Sequence, residues 1–170
     1  MMNNHKTNIV LTGMPASGKS TVGVILAKVL GMKFVDTDLY IQEREKALLS
    51  EIINNKGVDA FLRCEEEALL SLDTDNTVIA TGGSAIYSDL GMKHLSKNAL
   101  IIYLKVRKDV LLSRLNDINE RGVVLKNGQT LDDMYDERIL LYEKYADMVI
   151  VEDQLTIEQT VGKITEILKK

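Results

Sequence analysis

Residues 13–21 read GMPASGKST and follow directly on the apolar run Ile9-Val10-Leu11. The pattern G-x-x-x-x-G-K-[ST] falls on Gly13, Gly18, Lys19 and Ser20. Each residue type has a task around a phosphate chain. The glycines let backbone wrap close to phosphate oxygens with no Cβ in the way. Amide N–H groups at the start of a helix then face the anion, and the helix dipole favours it. Lys19 would reach the β- and γ-phosphates, and Ser20 would ligate Mg²⁺. Gly13, Ala16, Ser17, Gly18, Lys19, Ser20 and Thr21 are therefore the expected ATP-binding set.

A second group follows a short apolar stretch, in Phe34-Val35-Asp36-Thr37-Asp38. Two carboxylates two residues apart can divide the labour. Asp36 would hold Mg²⁺ or its waters, and Asp38 would orient an acceptor hydroxyl and take its proton. Alternatively Asp36 or Thr37 only caps the next helix. Arg63 could capture a carboxylate or phosphate through its planar guanidinium, with Glu66 holding it from the same helix face. The other reading of Arg63 and Glu66 is a surface ion pair. Gly82 and Gly83 either make a turn or offer bare backbone N–H groups to a substrate. By itself, Arg138 reads as one charge on a solvated helix face. Arg121 lies in a stretch with little apolar periodicity, 116–130, where a guanidinium could swing over a transferred phosphoryl group. Cys64, His5 and His94 have no partners at metal-ligand spacing, so Mg²⁺ is the expected metal and ATP the co-substrate.

The elements that must position these residues alternate between β-rich runs and helical periods. Strands are expected at Asn8–Thr12, Lys33–Val35, Thr77–Ala80, Ala99–Val106 and Met148–Val151. Helices are expected at Lys19–Leu30, Thr37–Glu45, Leu48–Asn54, Val58–Leu72, Ser88–Ser96, Lys108–Leu115, Leu131–Ala146 and Thr156–Lys169. This alternation predicts an α/β fold: a three-layer α/β/α arrangement around a parallel sheet of about five strands, in one domain over 1–170. Ligands bind beyond the carboxyl ends of such strands. The turns GMPASGKS, DTD and TGGS should thus gather on one edge, with 33–73 forming the acceptor region and 116–130 a mobile lid.

The 170 residues carry a formal net charge of −4, with 45% apolar and 27% charged residues. That acidic balance disfavours a general nucleic-acid or membrane-surface role. A lone cysteine excludes an internal disulfide and fits a reducing cytosol. The beginning of the chain has no apolar signal core, and no apolar run is long enough to span a membrane. A cytoplasmic protein working as a monomer is expected.

Together these residues resemble the shikimate kinase family of small P-loop kinases over about Ile9 to Val151. GMPASGKST looks like its Walker A loop. FVDTD is similar to its aspartate pair, which implies Asp36 near Mg²⁺ and Asp38 as the base on the acceptor hydroxyl. Leu62-Arg63-Cys64-Glu65-Glu66 is similar to the family's Phe-Arg-x-x-Glu, which implies Arg63 on the substrate carboxylate with Glu66 in support. Gly82-Gly83-Ser84 resembles its triple glycine, which implies backbone contacts to substrate. Arg121-Gly122-Val123-Val124 resembles the lid's Arg-Pro-Leu-Leu and implies Arg121 near the phosphates. Arg114 falls where the family places an arginine against the adenine. Arg138-Ile139-Leu140-Leu141-Tyr142 is similar to Arg-x-Pro-Leu-Tyr and implies Arg138 as a second carboxylate clamp. The departures are Leu62 for phenylalanine, Ser84 for glycine, Gly122 and Leu140 for prolines, and Val58 for an acidic residue. The resemblance implies phosphorylation of the 3-hydroxyl of shikimate. Another carboxylated polyol or hydroxy acid such as gluconate, or a nucleotide-binding module without catalysis, is the alternative.

Overall fold

The computed structural model describes residues 6–115 and 123–169. Five strands, β1 (Asn8–Thr12), β2 (Lys33–Asp36), β3 (Thr77–Ala80), β4 (Ala99–Lys105) and β5 (Met148–Val151), form one parallel sheet in the order β2-β3-β1-β4-β5. All four strand pairings are parallel, with Val10 opposite Ile79 on one side and Ile101 on the other. Among the described residues, eight α-helices connect and cover them: α1 (Lys19–Leu30), α2 (Thr37–Glu45), α3 (Leu49–Lys56), α4 (Val58–Ser71), α5 (Asp89–Ser96), α6 (Lys108–Leu115), α7 (Leu131–Tyr145) and α8 (Ile157–Leu168).

Alternation along the strands sorts side chains between two layers. Ile9, Leu11, Ile102 and Leu104 pack with Val22 and Leu26 of α1 and Val161 and Ile164 of α8. Val10, Ile79, Ile101 and Tyr103 pack on the opposite face with Leu69 of α4, Met92 of α5, Leu111 of α6 and Tyr142 of α7. Helices on both faces explain why β4 reads as an almost unbroken apolar run. A third cluster joins Ile41 of α2, Leu49 and Ile52 of α3 and Phe61 of α4. It holds α2, α3 and α4 together, with Val124 packed among them.

The expected strands and helices are all present, with ends shifted by up to two residues. A 3₁₀ turn at Ala85–Tyr87 was not expected; it follows from the Tyr87 and Ser88 amides bonding back to the Ser84 and Ala85 carbonyls. Of the expected lid, 116–122 lies outside the described residues. The remainder is anchored: Val124 is buried, and Lys126 pairs with Glu137 of α7 and sits 4.9 Å from the Tyr87 ring centroid.

Candidate active site

Because β2, β3 and β1 are neighbours, the turns that leave their carboxyl ends lie side by side. They help line one cavity of about 220 Å³, whose walls include Gly18, Lys19, Ser20, Asp38, Gly82 and Arg138.

The phosphate loop is held in a shape that suits glycine. Gly18 caps α1 with φ 87°, and Gly13 has no room for a side chain, since a Cβ there would lie 2.7 Å from the Leu104 carbonyl oxygen. Ala16 also takes positive φ, at 61°. Ser17 is buried within the loop, and Thr21 and Ser20 line the cavity. The Lys19 ammonium donates to the Gly13 and Met14 carbonyls at 2.8 and 2.7 Å. Burial lowers its pKa to about 8, against the opposing pull of Asp38. Arg114, at the end of α6, donates to the Ala16 carbonyl at 3.3 Å, which places it beside the loop. Arg121 is outside the described residues.

Asp36 caps α2 with one carboxylate oxygen and meets Ser20 with the other. Its Oδ1 caps α2 by accepting from the Asp38 and Leu39 amides at 3.0 and 3.3 Å, and its Oδ2 accepts from Ser20 Oγ at 2.5 Å. The Ser20–Asp36 pair fits a Mg²⁺ that keeps most of its waters and takes its other ligands from phosphates. Among the described residues no group of three or more His, Cys, Asp or Glu side chains could hold a metal ion. Asp38 follows at the first turn of α2. Burial raises its pKa to about 6, Asp36 adds to the rise and Lys19 opposes it. A carboxylate with that value is poised to take a proton near neutral pH.

Gly82 is where two carboxyls converge. A Cβ built there would lie 2.6 Å from both Asp38 Oδ1 and Glu65 Oε1. The expectation that Gly82 offers its N–H to substrate is corrected, because that amide donates to Thr37 Oγ1 at 2.9 Å. Gly83 lines the cavity, and its carbonyl accepts from Tyr142 at 2.6 Å.

Arg138 is 1% exposed, so the solvated-face reading fails, and its side chain lines the same cavity as Asp38. The helical turn from Arg138 to Tyr142 points both side chains inward. The guanidinium donates to the Val124 carbonyl and, at 3.3 Å, to the Tyr87 hydroxyl, and it lies 5.2 Å from the Tyr87 ring centroid.

Arg63 is a second correction. It is exposed on α4 and does not line the cavity that holds Asp38 and Arg138. Nor does Glu66 hold it, since Glu66 Oε2 accepts from Ser88 Oγ at 2.5 Å. The inward face of α4 carries Phe61, Glu65, Ala68 and Leu69. The Phe-Arg-x-x-Glu pattern therefore falls on Phe61 to Glu65, and its arginine position is occupied by Leu62. Glu65 is 1% exposed. Its Oε2 accepts from Ser84 Oγ at 2.6 Å, and its Oε1 has no partner among the described residues. Burial raises its pKa to about 7, with the Ser84 hydrogen bond opposing and Asp38 adding to the rise.

Three residues of the site were missed in sequence. Glu65 had a signal, the four-residue spacing from Phe61 along the buried face. Tyr87, in the 3₁₀ turn, had none. Glu152 follows β5 and is buried; its pKa is raised to about 7 by burial, with Thr160, Arg114 and Lys19 opposing.

The family model described as shikimate kinase matches residues 15–169. A shikimate kinase of Clostridium botulinum (strain Eklund 17B / Type B) is 36% identical over 165 residues, covering 96% of this chain and 98% of that protein. The structure of the Acinetobacter baumannii shikimate kinase in complex with shikimate superposes with a TM-score of 0.86 at 28% identity, covering 96% of this chain and 93% of that one. The Aquifex aeolicus shikimate kinase gives a TM-score of 0.82 at 30% identity, over 95% and 96% of the two chains.

Proposed function

The chain belongs to the shikimate kinase family, and from that premise we propose how its residues phosphorylate the 3-hydroxyl of shikimate with ATP. The loop from Gly13 to Thr21 holds the β- and γ-phosphates through its amides and Lys19, with Arg114 beside the nucleotide. Ser20 and Asp36 would hold Mg²⁺, which would offset negative charge on the transferred phosphate chain. Arg138 binds the acceptor carboxylate. Asp38 then aligns the hydroxyl and accepts its proton as the oxygen bonds to the γ-phosphorus and ADP departs. Arg121, outside the described residues, would serve the same developing charge.

The observation that carries this reading is the shared cavity, which Lys19, Asp38 and Arg138 all line. The test is Asp38→Asn. Turnover should fall by about 10²–10⁴-fold, while titration calorimetry still registers an ATP analogue. Near-normal turnover in that variant rules out the base.

The net charge of −4 supports a protein without a nucleic-acid partner. Among the described residues, no helix is long and apolar enough to cross a membrane. We place the enzyme in the cytoplasm as a monomer, its exposed apolar side chains being spread over α1, α2, α5, α7, β5 and α8 rather than gathered in one element.

A further inference from the structure

Among the described residues that line the cleft, the one guanidinium is that of Arg138. Beside it lies a smaller hollow of about 160 Å³, whose walls include Leu62, Glu65, Glu66 and Ser84. Ser84 is common to both cavities. Arg63 also lines this hollow, from an exposed position on α4. Leu62 stands three residues before Glu65, which on a helix puts the two side chains on neighbouring turns of one face. An acid entering this corner would meet an aliphatic side chain, two carboxyls and the exposed Arg63, and among the described residues the one buried guanidinium is that of Arg138. Glu65 itself has no salt bridge among the described residues; its contacts are the Ser84 hydroxyl on one oxygen and no partner on the other. A buried carboxyl oxygen in that condition favours a hydrogen-bond donor over another anion.

Resting on the kinase reading above, we propose that Leu62 and Glu65 set the acceptor selectivity of this chain: Arg138 alone binds the carboxylate, so a polyol carrying an uncharged group in its place is also accepted. A hydrogen bond to a charged group contributes about tenfold to 10²-fold in affinity. One clamp therefore gives discrimination within that range, and two would multiply it.

The experiment measures kcat/KM by coupled ADP release with shikimate and with its primary amide. The wild-type chain should prefer the acid by no more than about 10²-fold. Leu62→Arg, which supplies a guanidinium within reach of Glu65, should raise that preference by about tenfold or more. The gain should come from a lower KM for the acid, with KM for ATP unchanged. A wild-type preference above 10²-fold overturns the proposal, and this measurement does not depend on the variant folding. A folded Leu62→Arg protein with unaltered preference overturns it too. Transfer to the acid alone sinks the selectivity and leaves the kinase reading intact, whereas transfer to neither acceptor, with ATP still bound, sinks both.

Discussion

Replacing Gly82 by alanine tests the convergence of carboxyls that the acceptor site depends on. The new methyl carbon would stand 2.6 Å from Asp38 Oδ1 and from Glu65 Oε1, where ordinary contact begins near 3.4 Å. About 0.8 Å must be found on both sides at once. Glu65 has little freedom to supply it, since Ser84 holds its other oxygen and the side chain is enclosed. Asp38 sits at the open face of the cleft and is the group that gives way. A misplacement near 1 Å in a reacting group costs about 10²-fold in rate, or about 2.7 kcal/mol in the barrier. In a coupled assay, kcat should fall by that factor. Binding of a non-hydrolysable ATP analogue, read by calorimetry, should be unchanged because the phosphate loop does not touch the methyl. A Gly82→Ala enzyme with kcat within about threefold of wild type would refute the argument. So would a parallel loss of nucleotide affinity, which would mean the methyl disturbs the whole sheet edge.

The pH–rate profile of kcat/KM should be a bell, rising through about pH 6 as Asp38 loses its proton and falling above about pH 8 as Lys19 does; initial rates from about pH 5 to 9 check it, and a flat profile contradicts both assignments. Arg138→Ala should raise the KM for shikimate by about tenfold to 10²-fold, whereas Arg63→Ala should leave it within about twofold, as expected for an exposed charge; steady-state kinetics on the pair decide between the two arginines. Glu65→Gln should change how stability depends on pH. Burial holds the folded pKa of Glu65 at about 7, above the usual 4.5, so its contribution is fully present below about pH 4.5 and is lost as pH rises through 7. The wild-type Tm should therefore decline from about pH 5 to 8 more steeply than that of the variant in scanning calorimetry.

The phosphate side of the cleft was legible because its residues are adjacent in the chain and their geometry is local. A glycine in the left-handed region, a lysine and a hydroxyl can be read from one nonapeptide. Asp36 and Asp38 were legible for the same reason: the turn that caps α2 fixes where both carboxylates point. The acceptor side is assembled from α4, the turn after β3 and α7, and there the reading depended on helical register. Phe61 and Glu65 share the buried stripe of α4 with Ala68 and Leu69. Arg63 is two residues, about 200°, around the helix from Phe61. The arginine drew the alignment toward itself because a charge is an obvious candidate clamp. The apolar period of the same helix argued for the other register, in which the inward acid is Glu65 and the clamp position is a leucine.

Arg138 shows the opposite case. A guanidinium amid Asp, Glu and Lys side chains gives no local sign of burial, and the resemblance rather than the pattern singled it out. What buries it is distant in sequence: the Val124 carbonyl, the Tyr87 hydroxyl and the carbonyl of Gly83 held by Tyr142. The 3₁₀ turn that brings Tyr87 into place begins at Ser84, whose side chain also holds Glu65. One residue thus couples the two features that sequence reading missed, the placement of the buried acid and the seat of the remaining guanidinium. Ser84→Ala leaves the backbone turn possible but strips Glu65 of its hydrogen bond, at a cost of about 1–3 kcal/mol for an unsatisfied buried group. If thermal denaturation of that variant shows no loss of stability at neutral pH, Glu65 does not rely on Ser84, and the account of how this chain carries a buried acid without a cation beside it fails.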